Sequence, residues 1–170
     1  MLYWVPANEI VLYGEVGTVM KVTITRAGMK SLPRILEIQK LAFRQEAEDF
    51  DDYKMEPMQQ TLEDLKVEYK TFTYLIALNE AGNMIGSTRG FIRSGTSYIG
   101  KTFVHPYYQG RGIGTRLIDE LERINAAPRY EINASKRVPR NIILYERLGY
   151  QQFKETISGN NAFVYLEKFV

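Results

Sequence analysis

"VHPYYQGRGIGTRL", Val104 to Leu117, sets three glycines within five residues, at Gly110, Gly112 and Gly114, between a strand-like run and a helical stripe. Glycine loses more backbone entropy on folding than any other residue. Such a density marks a place where the chain must curl tightly or where something approaches its backbone closely. The N-terminus of the helix that follows presents unpaired N–H groups and about half a unit of positive charge from its aligned peptide dipoles. The stretch therefore reads as a turn built for phosphate.

Spacing separates the phosphate motifs. A P-loop requires a lysine and then Ser or Thr after its second glycine, whereas here Thr115 follows Gly114 directly. A dinucleotide fingerprint G-x-G-x-x-G requires glycine where Thr115 or Leu117 stands. Both failures disfavour a nucleotide-binding module. What remains is Q-x-x-G-x-G, filled by Gln109, Gly112 and Gly114.

The 170-residue chain fits one domain of ordinary size, with 45% hydrophobic and 25% charged residues as in a soluble globular protein. No apolar run approaches the roughly 18 to 20 residues of a membrane span. Zero cysteines exclude a disulfide framework and a cysteine nucleophile, and with His105 as the single histidine no Cys/His zinc site can be built, so no metal is expected. A net charge of +2 implies neither nucleic acid nor membrane as a partner. The N-terminus lacks the pattern of a signal peptide, and a cytoplasmic location is expected. Residues 1–19 read either as an appended segment ahead of Met20 or as an extra strand or hairpin at "EIVLYGEV". Residues 20–170 read as the domain.

Alternation predicts a first strand at Lys21–Thr25, and helical spacing of Leu32, Ile35, Leu36, Ile38, Leu41 and Ala42 predicts a helix after it. Leu62, Leu65 and Tyr69 mark a second helix. "TFTYLIAL" and "MIGSTRGFI" read as strands joined across "NEAGN", and "SYIGKTFV" as a fourth strand. A helix from Ile113 to about Asn125, a fifth strand "RYEINAS", a helix "PRNIILYERLG" capped at Gly149, and a terminal strand pair complete the order. The class is α/β (α+β), with the glycine turn between the fourth strand and its helix.

Val104, Pro106, Gln109, Gly110, Gly112 and Gly114 resemble the acyl-CoA pyrophosphate loop of the GNAT superfamily of N-acetyltransferases, V-x-P-x-x-Q/R-G-x-G-x-G. "NIILYERLGY", Asn141 to Tyr150, is similar to that family's second signature, and the element order from about Met20 onward is similar throughout. The resemblance implies a mixed, mostly antiparallel sheet flanked by about four helices, with the fourth and fifth strands splayed apart. It implies acetyl-CoA as co-substrate. Backbone N–H groups from Gln109 through Gly110, Arg111, Gly112, Ile113 and Gly114 to Thr115 would hold the pyrophosphate. Phe103 and Val104 would offer main-chain groups to the pantetheine arm. Tyr145 would protonate the leaving thiolate, with Asn141 one turn earlier near the cofactor arm. Asn133 is a second amide near the arm, and Arg111, Arg116 and Arg140 are candidates for the cofactor's phosphates. His105 is expected to shape the turn.

Two departures bear on mechanism. Many members place the asparagine seven residues before the tyrosine, where this chain has Val138. Many also supply a glutamate from the fourth strand, where Lys101 and Thr102 stand here. Proton removal from the acceptor then falls to water, to a tyrosine such as Tyr98, or to a carboxylate from elsewhere. "RQEAEDFDDYKMEP" sets five carboxylates in seven residues, Glu46, Glu48, Asp49, Asp51 and Asp52, in the connection after the first helix. Glu46 and Asp49 are the candidates there for attracting a cationic acceptor such as a polyamine, an amino sugar or a peptide amine. The expected activity is transfer of acetyl to a primary amine in a ternary complex. A non-catalytic acyl-CoA-binding or sensing domain is the alternative that the missing glutamate keeps open. The family resemblance also implies a terminal strand available to a second copy, as in a homodimer.

Overall fold

In the computed structural model, residues 9–13 and 19–170 are described, with side chains from Met20 onward. The remainder of the 1–19 segment lies outside the described residues. Among the described residues, eight strands and five α-helices follow in the order β1 (Glu9–Tyr13), β2 (Val19–Arg26), α1 (Leu32–Asp49), α2 (Glu56–Gln59), α3 (Leu62–Tyr69), β3 (Thr73–Leu78), β4 (Met84–Arg93), β5 (Thr96–Val104), α4 (Ile113–Ile124), β6 (Arg129–Ser135), α5 (Pro139–Arg147), β7 (Gln151–Ser158) and β8 (Asn161–Phe169). The strands hydrogen-bond in the order β1-β2-β3-β4-β5-β6-β8-β7. Pairing is antiparallel for β1–β2, β2–β3, β6–β8 and β7–β8, and parallel for β5–β6. The fold class is the mixed, helix-flanked sheet expected. No helix among the described residues is long and apolar enough to cross a membrane.

The chain forms two compact units, Met1–Arg89 with Lys101–Leu121, and Gly90–Gly100 with Glu122–Val170. In the first unit, Leu32, Ile35 and Ile38 on α1 and Leu65 on α3 are fully buried in a cluster with Tyr74, Ile76, Met84 and Phe103 from the sheet. α1 runs seven residues past Ala42, to Asp49, because Ala47 is itself fully buried and the residues between are good helix formers. α3 starts on a capping box: the Thr61 hydroxyl accepts from the Asp64 N–H at 3.2 Å while Asp64 accepts from the Thr61 N–H at 2.8 Å.

The second unit holds the β4–β5 turn, where Ser94 and Gly95 both take positive φ, 50° and 76°, as a two-residue hairpin turn demands. Its parallel register runs from Thr96 opposite Arg129 to Ile99 opposite Ile132, and ends there although β5 continues to Val104 and β6 to Ser135. This is the expected splay. α5 ends before Gly149, whose φ of 91° is the left-handed cap expected from the sequence.

A buried charge organises the first unit. Arg89 on β4 is 1% exposed. Its guanidinium donates to Gln39 Oε1 at 3.0 Å and Gln60 Oε1 at 2.7 Å, and pairs with Glu68 Oε2 at 2.8 Å. It also lies over the Tyr74 ring, 5.3 Å from the centroid. Glu68 accepts further bonds from the Tyr74 hydroxyl and the Gln60 amide, both at 2.7 Å. Removing one partner of a buried pair leaves the other desolvated without compensation. Arg89→Leu is expected to lower unfolding stability by about 3 to 5 kcal/mol, read as a reduced urea midpoint.

Candidate functional site

The first unit carries the glycine turn. β5 delivers Phe103 and Val104 as buried residues, and the His105 N–H continues the strand by donating to the Ile85 carbonyl at 2.8 Å. Pro106–Tyr108 then forms one 3-10 turn, capped by His105 Nδ1, which accepts from the Tyr107 N–H at 3.2 Å. The histidine's contacts shape the turn. Gln109 bonds back on itself twice: its N–H donates to the Pro106 carbonyl at 3.3 Å and its side-chain amide to the Val104 carbonyl at 3.0 Å. Arg111 lies against Tyr107 and Tyr108, 5.4 and 5.7 Å from their ring centroids, and donates to the Tyr107 carbonyl at 3.3 Å.

From Gly110 to Thr115 the backbone N–H groups have no hydrogen-bond partner among the described residues, and the first bond of α4 runs from the Arg116 N–H to the Gly112 carbonyl at 3.2 Å. Ile113, buried, fixes the helix head to the core. The result is a run of unsatisfied donors at the positive end of a 12-residue helix, an arrangement suited to an anion. The glycines divide by cause. Gly110 and Gly112 take φ of 74° and 77°, a conformation L-residues avoid. A Cβ on Gly114 would meet nothing nearer than 3.9 Å, so packing within the protein does not account for it.

The second unit carries Tyr145 and Asn141. Tyr145 is buried, its ring centroid 6.4 Å from that of Tyr150, and its hydroxyl has no hydrogen-bond partner among the described residues. Burial pushes that phenol up to about 12, so it holds its proton throughout the neutral range. Tyr150 differs: its hydroxyl donates to Glu122 Oε1 at 2.6 Å, and the same carboxylate receives Lys168 at 2.7 Å. Asn141 is half-buried in the first turn of α5, its side chain unbonded among the described residues. Asn133, Arg116 and Arg140 are exposed.

Residues 70–152 match the acetyltransferase (GNAT) domain family. Over that stretch the chain is similar to GNAT acetyltransferases. Its fold is similar to that of the PaiA N-acetyltransferase of Thermoplasma acidophilum, solved with coenzyme A, at 15% identity and a TM-score of 0.71 over 88% of this chain and 99% of the other. It is also similar to the spermidine N-acetyltransferase of Vibrio cholerae, solved with CoA and spermine, at 16% identity and a TM-score of 0.67 over 87% of this chain and 95% of the other. At these identities the likeness is one of fold.

The acidic segment lies partly on α1 rather than in a connection. Glu46 is half-buried in its last turns, and Asp49, exposed at its end, accepts from the Gln45 amide at 2.8 Å. Lys101, standing where a strand carboxylate was sought, is ion-paired with Glu56 of α2. Burial and the nearby Arg89 hold the Lys101 ammonium below the ordinary lysine range, against the pull of Glu56. Sequence reasoning missed Glu56 and Arg89. "KMEP" carries no periodicity, and Arg89 sits in a run that reads as plain strand. Gly112→Ala is expected to destabilise the protein by about 1 to 2 kcal/mol through forced positive φ, while Gly114→Ala leaves the urea midpoint unchanged or raised. Paired denaturation curves measure both.

Proposed function

We propose that this protein is a GNAT-type, acyl-CoA-dependent N-acyltransferase that moves acetyl from acetyl-CoA to a primary amine by direct transfer in a ternary complex. The observation that carries this reading is the run of unpartnered N–H groups from Gly110 to Thr115 at the head of α4. A diphosphate is the dianionic group such a nest fits. Gly114, whose missing Cβ no protein contact explains, leaves room for it.

In this reading the pantetheine arm runs back along β5 and pairs its amides with main-chain groups of Phe103 and Val104 as a strand would. The Val104 carbonyl is already engaged by Gln109. The oxyanion of the tetrahedral intermediate would then be met by a backbone N–H near Val104, an electrostatic role that needs no special side chain. Tyr145 serves as proton donor to the departing thiolate, a part that suits a hydroxyl held protonated and otherwise unbonded. Asn141 lies one helical turn ahead of it, four residues before Tyr145 where many family members have seven, and is the amide this chain offers the arm there. Glu46 and Asp49 favour a cationic acceptor, the class that the spermine complex of the Vibrio relative exemplifies.

Thermal unfolding with acetyl-CoA, CoA, ATP and NAD at matched excess tests the assignment of the turn. A ligand at 100 times its Kd adds about 2.7 kcal/mol. The expected result is stabilisation by the two CoA compounds alone, and stabilisation by ATP or NAD without CoA overturns the reading. Tyr145→Phe removes only an unbonded hydroxyl. It is expected to leave the melting temperature and the CoA-induced shift in place while lowering kcat about 10²-fold, measured by thiol release.

A further inference from the structure

Direct transfer requires a neutral amine at the thioester carbonyl, so an acceptor ammonium must first lose a proton. β5, reading TSYIGKTFV, brings no carboxylate of its own. It brings Lys101, whose Nζ lies 2.7 and 2.6 Å from the two carboxylate oxygens of Glu56. The α1–α3 connection thereby lays a carboxylate onto β5 three residues before Val104. The lysine side chain is 20% exposed and the glutamate's 63%, so the cation is tucked against the sheet while the carboxylate keeps lone pairs open to solution.

Other carboxylates of the same unit are differently committed. Glu68 is saturated by Arg89, Tyr74 and Gln60. Asp64 caps α3, and Glu63 pairs with Lys66 on that helix. Glu56 differs from these in being anchored to the strand that runs into the glycine turn. An arm bound with its diphosphate at Gly110–Thr115 and returning along β5 advances about 3.3 Å per residue, which carries its acyl end from Val104 toward the level of Lys101.

We propose that Glu56 is the general base for the acceptor amine and that Lys101 is the positioning residue that holds it over β5. The proposal rests on the acyl-CoA reading above. The acceptor R–NH3+ gives one proton to the Glu56 carboxylate, and the freed lone pair forms the N–C bond at the thioester carbonyl. The C–S bond then breaks, the nitrogen's second proton ends on the departing thiolate, and Glu56 releases its proton to solvent. Among the described residues, Lys101 on β5 and Tyr74 on β3 interact with Glu56, and Arg89 on β4 and Glu68 on α3 interact with those two in turn. Tyr74 is held neutral by burial, so the pair and the Arg89–Glu68 couple sum to no net charge before substrate arrives.

The test uses the full chain, acetyl-CoA and a panel of primary amines (spermidine, glucosamine, a lysine peptide), with thiol release followed from pH 6 to 10. For an amine the wild type acetylates, Glu56→Gln is expected to lower kcat/KM about 10²-fold near pH 7, with the deficit shrinking as pH rises and neutral amine accumulates in solution. Lys101→Arg should retain the wild-type profile, and Lys101→Met should follow the trend of Glu56→Gln. A Glu56→Gln rate equal to wild type, or a ratio constant across the pH range as a structural defect would give, overturns the proposal. So does a wild type that CoA stabilises but that acetylates no amine. A wild type that CoA does not stabilise overturns the acyl-CoA reading itself, and the base assignment with it.

Discussion

A guanidinium shut away from water is the constraint around which the first unit is built. Arg89 cannot shed its proton, and its position on β4 gives it almost no solvent. Its charge must be met by protein groups in every direction it can donate. Those groups arrive from α1 as Gln39, from the residue after α2 as Gln60, from α3 as Glu68, and from β3 as the face of Tyr74. A segment of chain that would otherwise wander between two helices is therefore pinned to the sheet at Gln60, with Gln39 adding a bond to the Pro57 carbonyl at 2.9 Å. Glu56 stands one residue before that anchored proline, so its reach to Lys101 is in part a consequence of the buried cation.

The legible parts of the sequence were those whose cause is local. The glycine turn declares itself because two of its residues need positive φ and the third sits at a helix head, facts that depend only on neighbours in the chain. β6 and α5 follow from short-range alternation, a proline at one end and Gly149 at the other. α3 reads from Leu62, Leu65 and Tyr69, and its capping box, Thr61 with Asp64 three residues on, is equally local. Glu9–Tyr13, which read equally well as an appended piece or as a strand, pairs with β2. Arg89 was illegible for the opposite reason. Its partners lie 50 and 29 residues away at Gln39 and Gln60, and no window of sequence shows that three polar residues from separate elements will close around one charge. The same holds for Glu56 and Lys101, 45 residues apart.

Within the turn, side chain and backbone divide the labour. The backbone of Gly110–Thr115 supplies donors, and the side chains around it supply rigidity. Gln109 ties the loop to the end of β5, His105 closes the 3-10 turn, and Arg111 is folded over two tyrosines. Three side chains that could have reached outward are spent on holding a shape. A preformed nest loses little entropy when an anion enters it. The candidate site of the first unit is thus expected to look much the same empty as filled.

Gly86 on β4 was chosen for what it lacks. A methyl placed there would press on the Phe103 carbonyl at 3.0 Å, on Leu117 at 3.3 Å and on Val104 at 3.4 Å, touching at once the strand before the turn and the helix after it. A single carbon at this position acts as a wedge driven between strand and helix, from behind the loop. The approach of β5 to α4, the two elements that flank the donor nest, is accordingly held by a position on β4 that has no side chain, outside the loop itself.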